Sequence, residues 1–248
     1  MNETRELKAF QTYFSPGAEL YYYGSGKGAR LFSRLCATCP LHGYEAPDFY
    51  ITSDDELLLI EHFEFSSYRQ NRKGDTFRQE EARIQRKADA MVPTEEVTVI
   101  HGVIQGESSY QIYLENAGQA FCAHYSQIDN YVNNLRDDGI LKEQDYRIAF
   151  FMEDVSPLGT AMGGNSAWDP DTELVTLAKS REFLELFERN DKVDYVLACS
   201  SYENHRLTWF IDRKELDAYY KEAVDYQRLQ FFAFKPNVIT AKVLVKKE

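Results

Sequence analysis

Two carboxylates in the stretch PDFYITSDDELLLIEHFEF, residues 47–65, have the type and spacing to do chemistry. Asp48 opens one run of strand-forming residues, and Glu61 interrupts a second run, LLLIEHF, whose apolar residues demand burial. A carboxylate inside a buried strand is costly unless something compensates its charge, and a bound divalent cation is one such partner. Two carboxylates brought together, with carbonyls and water, suit Mg2+ or Mn2+. Such an ion can activate a water and neutralise a phosphodiester transition state. A plainer alternative stays open: Asp48 begins a strand, and Glu61 pairs with an arginine of the next helix.

The elements that would position these groups are legible in outline. Residues 48–52 and 57–65 form an antiparallel hairpin across a turn at Ser53–Glu56. Leu57 to Ile60 leave no polar face, so the second strand is expected to be central and covered on both sides. Leu7, Phe10 and Phe14 mark a helix over 3–14, stopped by Ser15-Pro16-Gly17. AELYYYG is a short strand, GKGARLFSRLC a helix or turn, and residues 76–91 a helix with Thr76 and Gln79 at capping-box spacing. EEVTVIHGVI and YQIYLE suggest strands, and YSQIDNYVNNLRDDG a helix closed by Gly139. YRIAFFMEDV is a buried strand, and the loop 156–171 that follows is unusually long. Beyond it come a helix (ELVTLAKSREFLELFER), two strands (VDYVLACS, RLTWFI), a helix (RKELDAYYKEAV) and two more strands (LQFFAF, VITAKVLV). The expected fold is α/β, a mixed β-sheet flanked by helices, in one domain over 1–248. Its core is residues 1–155, and 156–248 form a C-terminal α/β elaboration.

Pro47-Asp48, a hairpin, and LLLIEHF as far as Glu61 resemble the PD-(D/E)xK nuclease superfamily, the restriction-endonuclease-like fold. The leading helix, the meander, the helix 75–91 and the strand YRIAFF also fit that family's core order. The resemblance spans roughly the first 150 residues. It implies Mg2+ or Mn2+ held by Asp48 and Glu61, and hydrolysis of nucleic-acid phosphodiesters. It departs at one point: Phe63 stands where the family has a lysine that orients the attacking water. Lys87, one turn beyond Arg83, is the expected substitute cation. Lys73 is a weaker one, and Arg83 and Lys73 would contact substrate.

The remaining signals are weaker. Cys36, Cys39 and His42, with Cys122 and His124, have residue types for zinc, but only one Cys-x2-Cys pair exists and zinc is not expected. His62 is expected to be a satisfied strand histidine, and LGTAMGG lacks phosphate-loop spacing. Glu153, Asp154, Asp169 and Asp171 flank the long loop and could add metal ligands, although surface carboxylates are in excess in so acidic a chain. A net charge of −12 repels phosphate backbones, so a nucleic-acid partner would need a local basic patch. No apolar run approaches the roughly 20 residues of a membrane span, so no membrane partner is expected. The polar start and the scarcity of cysteine suggest a cytoplasmic protein. Two functions follow: a metal-dependent nuclease-like protein, or a catalytically inactive α/β module that binds a protein partner.

Overall fold

The run that Glu61 interrupts lies in the interior of a seven-stranded mixed sheet. The computed structural model describes residues 4–14, 18–53, 56–71, 74–75, 79, 82–83, 86, 101–102, 109–156, 162–164, 173–202, 205–226, 230–232 and 239–240. The sheet consists of β1 (Leu20–Tyr21), β2 (Leu41–Gly43), β3 (Phe49–Thr52), β4 (Glu56–Phe65), β5 (Asp145–Asp154), β6 (Tyr195–Tyr202) and β7 (His205–Asp212). Its order is β1-β7-β6-β5-β4-β3-β2. β2, β3 and β4 form an antiparallel meander. β4, β5 and β6 are parallel, so each of those links is a crossover. β7 returns antiparallel to β6 and takes β1 parallel on its outer edge.

Alternation along β4 explains why that strand has no polar face. Leu58 and Ile60 join Ala149, Phe151, Leu197 and Phe210 under α1 (Arg5–Tyr13) and α2 (Lys27–Thr38). Leu57, Leu59 and Phe63 point the other way, with Phe150, Met152 and Val196. That second face is covered by α3 (Tyr110–Tyr125), α4 (Ile128–Asp137), α5 (Arg181–Arg189) and α6 (Leu216–Lys221). A parallel centre with helices on both faces buries its strands twice, as the unbroken apolar run requires. Strands β6 and β7, from the second half of the chain, continue the same sheet, and both core clusters draw on both halves.

The helix ends follow local chemistry. The Thr4 hydroxyl accepts the Leu7 amide at 3.2 Å and starts α1. Gly139, at φ +70°, lies just beyond the end of α4, as expected. YQIYLE, expected as a strand, is instead the opening of α3. The Ser109 hydroxyl accepts the Ile112 amide, and Tyr110, Tyr113, Ala117 and Phe121 make a buried stripe at helical spacing. The helix expected over 173–189 is broken. Glu173–Leu174 is a short strand and Leu177–Lys179 a 3-10 turn, and Ser180 then caps α5 through the Phe183 amide at 3.1 Å. Within the long loop, Met162–Gly164 pairs with Glu173–Leu174 and with Gln230–Phe232. Of the helix expected over 76–91, Gln79, Ala82, Arg83 and Arg86 are described, all helical, and the rest lies outside the described residues. Of EEVTVIHGVI only His101–Gly102 is described, as a short strand. No helix among the described residues is long and apolar enough to cross a membrane.

The outer end of β7 is fixed by one side chain. The Arg213 guanidinium donates to the carbonyls of Phe187 (2.7 Å), Glu188 (3.2 Å), Asn190 (2.6 Å) and Val193 (2.6 Å). They cluster at the end of α5 and in the turn after it, where helix carbonyls run out of intrahelical partners, and the Phe187 carbonyl also takes the Asn190 amide at 3.2 Å. The guanidinium also lies 4.2 Å above the Phe187 ring.

The α3 side of the core depends most visibly on Phe121, which is fully buried and packs edge-on to Phe150, Phe183 and Phe187. Phe121→Ala should lower unfolding stability in urea by about 3–5 kcal/mol. A loss below about 1 kcal/mol would mean that α3 does not seat on β5 in this way.

Candidate functional site at the Asp48–Glu61 strand pair

Register places the two carboxylates together. Phe49 of β3 pairs with Ile60 of β4, so Asp48 stands opposite Glu61 one rung beyond the end of β3. The hydrogen bonds there are reciprocal. The Asp48 amide donates to Glu61 Oε2 at 3.2 Å, and Asp48 Oδ2 accepts the His62 amide at 2.8 Å. The Asp48 carboxylate thereby extends the ladder where the backbone of β3 has ended.

Glu61 is 8% exposed, and each of its oxygens has a donor. Besides the Asp48 amide on Oε2, Oε1 accepts the Tyr131 hydroxyl of α4 at 2.7 Å. His124 Nδ1, near the end of α3, lies 2.8 Å from the same oxygen. An ionised carboxylate can only accept, so the network assigns the proton to Nδ1. In the neutral ring this leaves Nε2 as the acceptor. The ring is oriented from its face as well, because Phe63 stacks on it at 4.3 Å with planes 8° apart. Where the resemblance has a lysine, the chain holds an imidazole against the carboxylate.

Burial, and then the neighbouring Glu61 charge, push the Asp48 carboxyl up to about 6. The Tyr131 phenol is held far above its ordinary range by burial and by its bond to Glu61. Asp48 also lines a cavity of about 460 Å³ beside α1, with Glu6, Leu7, Leu41, Tyr44 and Glu45 among its other walls. Glu61 is not one of those walls; its bonds turn it toward α3 and α4. Its walls therefore combine three carboxylates, those of Glu6, Glu45 and Asp48, with apolar side chains.

Register brings the two carboxylates expected from sequence together. Among the described residues Tyr131 and His124 hold Glu61; of the next helix, whose arginines were the simple alternative partners, only Gln79, Ala82, Arg83 and Arg86 are described. Arg83 is exposed and helical, while Lys87 and Lys73 lie outside the described residues. His62 is satisfied as expected: it is 8% exposed, 3.0 Å from Glu153 Oε2, and packed on Phe151 at 4.4 Å. The cysteines do not assemble with histidine. Burial pushes the Cys36 thiol up to about 12, His42 stacks on Tyr50 at 4.8 Å, and His124 is engaged by Glu61. Among the described residues, no group of three or more His, Cys, Asp or Glu side chains is placed to hold a metal ion. Two carboxylates with water still suit Mg2+, which keeps much of its hydration shell. Sequence reasoning missed the link from Glu61 to Tyr131 and His124, because the α3–α4 turn brings those two residues together rather than any spacing within one element. No family model matches the chain, and no curated protein and no solved structure matches it either.

The raised Asp48 pKa has a defined sign in stability. Asp48 holds its proton more tightly folded than unfolded, so ionisation costs stability, and the cost is complete above about pH 6. It fades as pH falls toward the ordinary value of 3.8. Asp48→Asn keeps an acceptor for the His62 amide and removes the charge. Its melting temperature in EDTA should exceed that of wild type at pH 7, with the advantage shrinking toward pH 4. A variant that melts lower than wild type by a constant margin at every pH would refute the uncompensated-charge account.

Proposed function

We propose that the chain is a divalent-metal-dependent nuclease-like protein of the PD-(D/E)xK type, with Asp48 and Glu61 as its acidic pair. The observation that carries this reading is the placement of the pair. Asp48 heads the second strand of an antiparallel meander, Glu61 lies opposite it in the third, and a helical crossover leads from there to a parallel strand. That order supports the resemblance. The residues also suit a hard cation: Asp48 carries a charge that burial and Glu61 make costly, and its cavity adds Glu6 and Glu45. Mg2+ or Mn2+ held there would supply Lewis acidity and a more acidic bound water.

The chain's own groups then divide the work. Asp48 faces the cavity and would bind and orient. Glu61 fixes the His124 ring, on the side of the pair turned away from that cavity, in the tautomer whose Nε2 can take a proton. Lys87 is the cation for the role the missing lysine leaves vacant, with His124 the alternative. Arg83 and Lys73, in the same basic segment, would offer phosphates a local patch on an otherwise acidic protein. One observation favours a second reading. Both Glu61 oxygens are already taken by protein donors, as in a catalytically inactive α/β module that binds a protein partner.

The test joins metal binding to cleavage. Mn2+ should raise the melting temperature of wild type and not of Asp48→Ala, because a ligand that binds only the native state stabilises it. Linear DNA, single-stranded DNA and RNA should be assayed with Mg2+ and Mn2+ at low salt, where counter-ions compete least with a local basic patch for the phosphates. Lys87→Ala should lower cleavage about 10²-fold or more with the melting temperature nearly unchanged. If His124→Gln does so instead, the imidazole supplies the basic group, and its loss from the Glu61 network should lower the melting temperature as well. A folded wild type with neither metal response nor cleavage overturns the nuclease reading and leaves the binding module.

A further inference from the structure

The cavity beside α1 is larger than a metal ion needs. It lies between the start of α1 and the β2–β3 hairpin, and its volume of about 460 Å³ is that of a small-molecule pocket, for which roughly 300–1,000 Å³ is usual. Its apolar walls are Leu7 of α1, Leu41 of β2, Phe49 of β3 and the ring of Tyr44. The Tyr44 hydroxyl is engaged elsewhere, on the Asp138 carboxylate just past α4.

Gly43 keeps this space open. Gly43 and Leu41 pair with Phe49 and Ile51, which are buried on the α1 side of the sheet, so position 43 faces that side too. A Cβ added to Gly43 would meet no atom within 4 Å beyond its chain neighbours, and would stand free in the cavity that Gly43 lines. Three carboxylates line the same space: Glu6 from the first turn of α1, and Glu45 and Asp48 from the β2–β3 connection. No lysine, arginine or histidine is among its described walls. Arg5, next to Glu6 in the chain, pairs with Glu64 at 2.5 Å. The three carboxylates are not gathered closely enough to hold one metal ion among them. Negative charge is thus spread along an apolar cavity whose described walls supply no cation of their own.

We propose that this cavity binds an aliphatic polyamine carrying three ammonium groups. Such a chain suits both parts of the lining. Its methylenes cover Leu7, Leu41 and Phe49, which a hydrated inorganic ion would leave wet. Its ammonium groups, held apart by those methylenes, reach carboxylates that a single ion cannot bridge. The net charge of −12 gathers any cation near the protein, and the cavity then selects among cations by shape. This goes beyond the nuclease reading and does not rest on it, since Glu61 is not a wall of the cavity. The nuclease reading is tested by Mn2+ and cleavage and this one without divalent metal, so either can fail alone.

The experiment follows melting in EDTA at constant ionic strength and about pH 7.5, with about 1 mM spermidine, hexamminecobalt(III) or butylamine. Spermidine should raise the melting temperature of wild type by about 3 °C or more, well above the other two, because it alone joins three charges to an apolar chain. Gly43→Leu puts a side chain into the cavity and should abolish the gain. Glu45→Gln, at an exposed position, should weaken it and stands in if Gly43→Leu fails to fold. No response of wild type to spermidine overturns the proposal. Equal responses to spermidine and hexamminecobalt(III) overturn it too, because charge alone would then explain both. So does an equal response to butylamine, which would mark a pocket for one ammonium such as a partner's lysine. A gain that persists undiminished in Gly43→Leu, or in Glu45→Gln where that variant stands in, also overturns it.

Discussion

Glu61 is where three pieces of the structure meet. Its carboxylate takes the amide that precedes β3, the phenol of α4 and the imidazole at the end of α3. A charge in a strand buried on both sides must collect donors, and collecting them aligns the meander with the helical layer above it. Each hydrogen bond to a charged group adds roughly 1.5–3 kcal/mol, and losing one partner leaves the others beside an unsatisfied buried charge. The geometry of the strand pair is thus fixed before any ligand is considered. Whatever the pair does chemically, it does from a preorganised position.

The acidic pair also sets the polarity of its two sides. Toward α3 and α4 the negative charge is answered by donors that the protein supplies. Toward α1 it meets a cavity whose other charged walls are Glu6 and Glu45. That imbalance is a field as much as a contact, and it draws positive species into the cavity while discouraging phosphate that arrives without a counter-ion.

The sheet was legible because its signals are local. An all-apolar tetrad at 57–60, a turn rich in acidic residues and the apolar run that closes 146–151 point to a hairpin and to strands covered on both faces of a mixed sheet. The start of α3 was not legible, because Tyr-Gln-Ile-Tyr has strand composition. Only the serine before it and the stripe continuing to Phe121 show a helix, and both depend on reading past the first turn. Asp48 and Glu61 could be paired from hairpin register alone. Their partners could not, since His124 and Tyr131 sit on different helices and meet Glu61 only through tertiary packing. The aromatic ring at position 63 reads as a lost lysine in sequence and as a platform for a histidine in space.

Arg213 carries a consequence for how the molecule comes apart. Its guanidinium closes the carbonyl end of α5 from a position one residue past β7, so helix and strand share a single latch. Neither can fray alone without stranding carbonyls or a cation in a half-dry place. α5 and β7 therefore open as one cooperative unit, with their amides sharing a common opening free energy, although the chain between them contributes a whole parallel strand to the middle of the sheet.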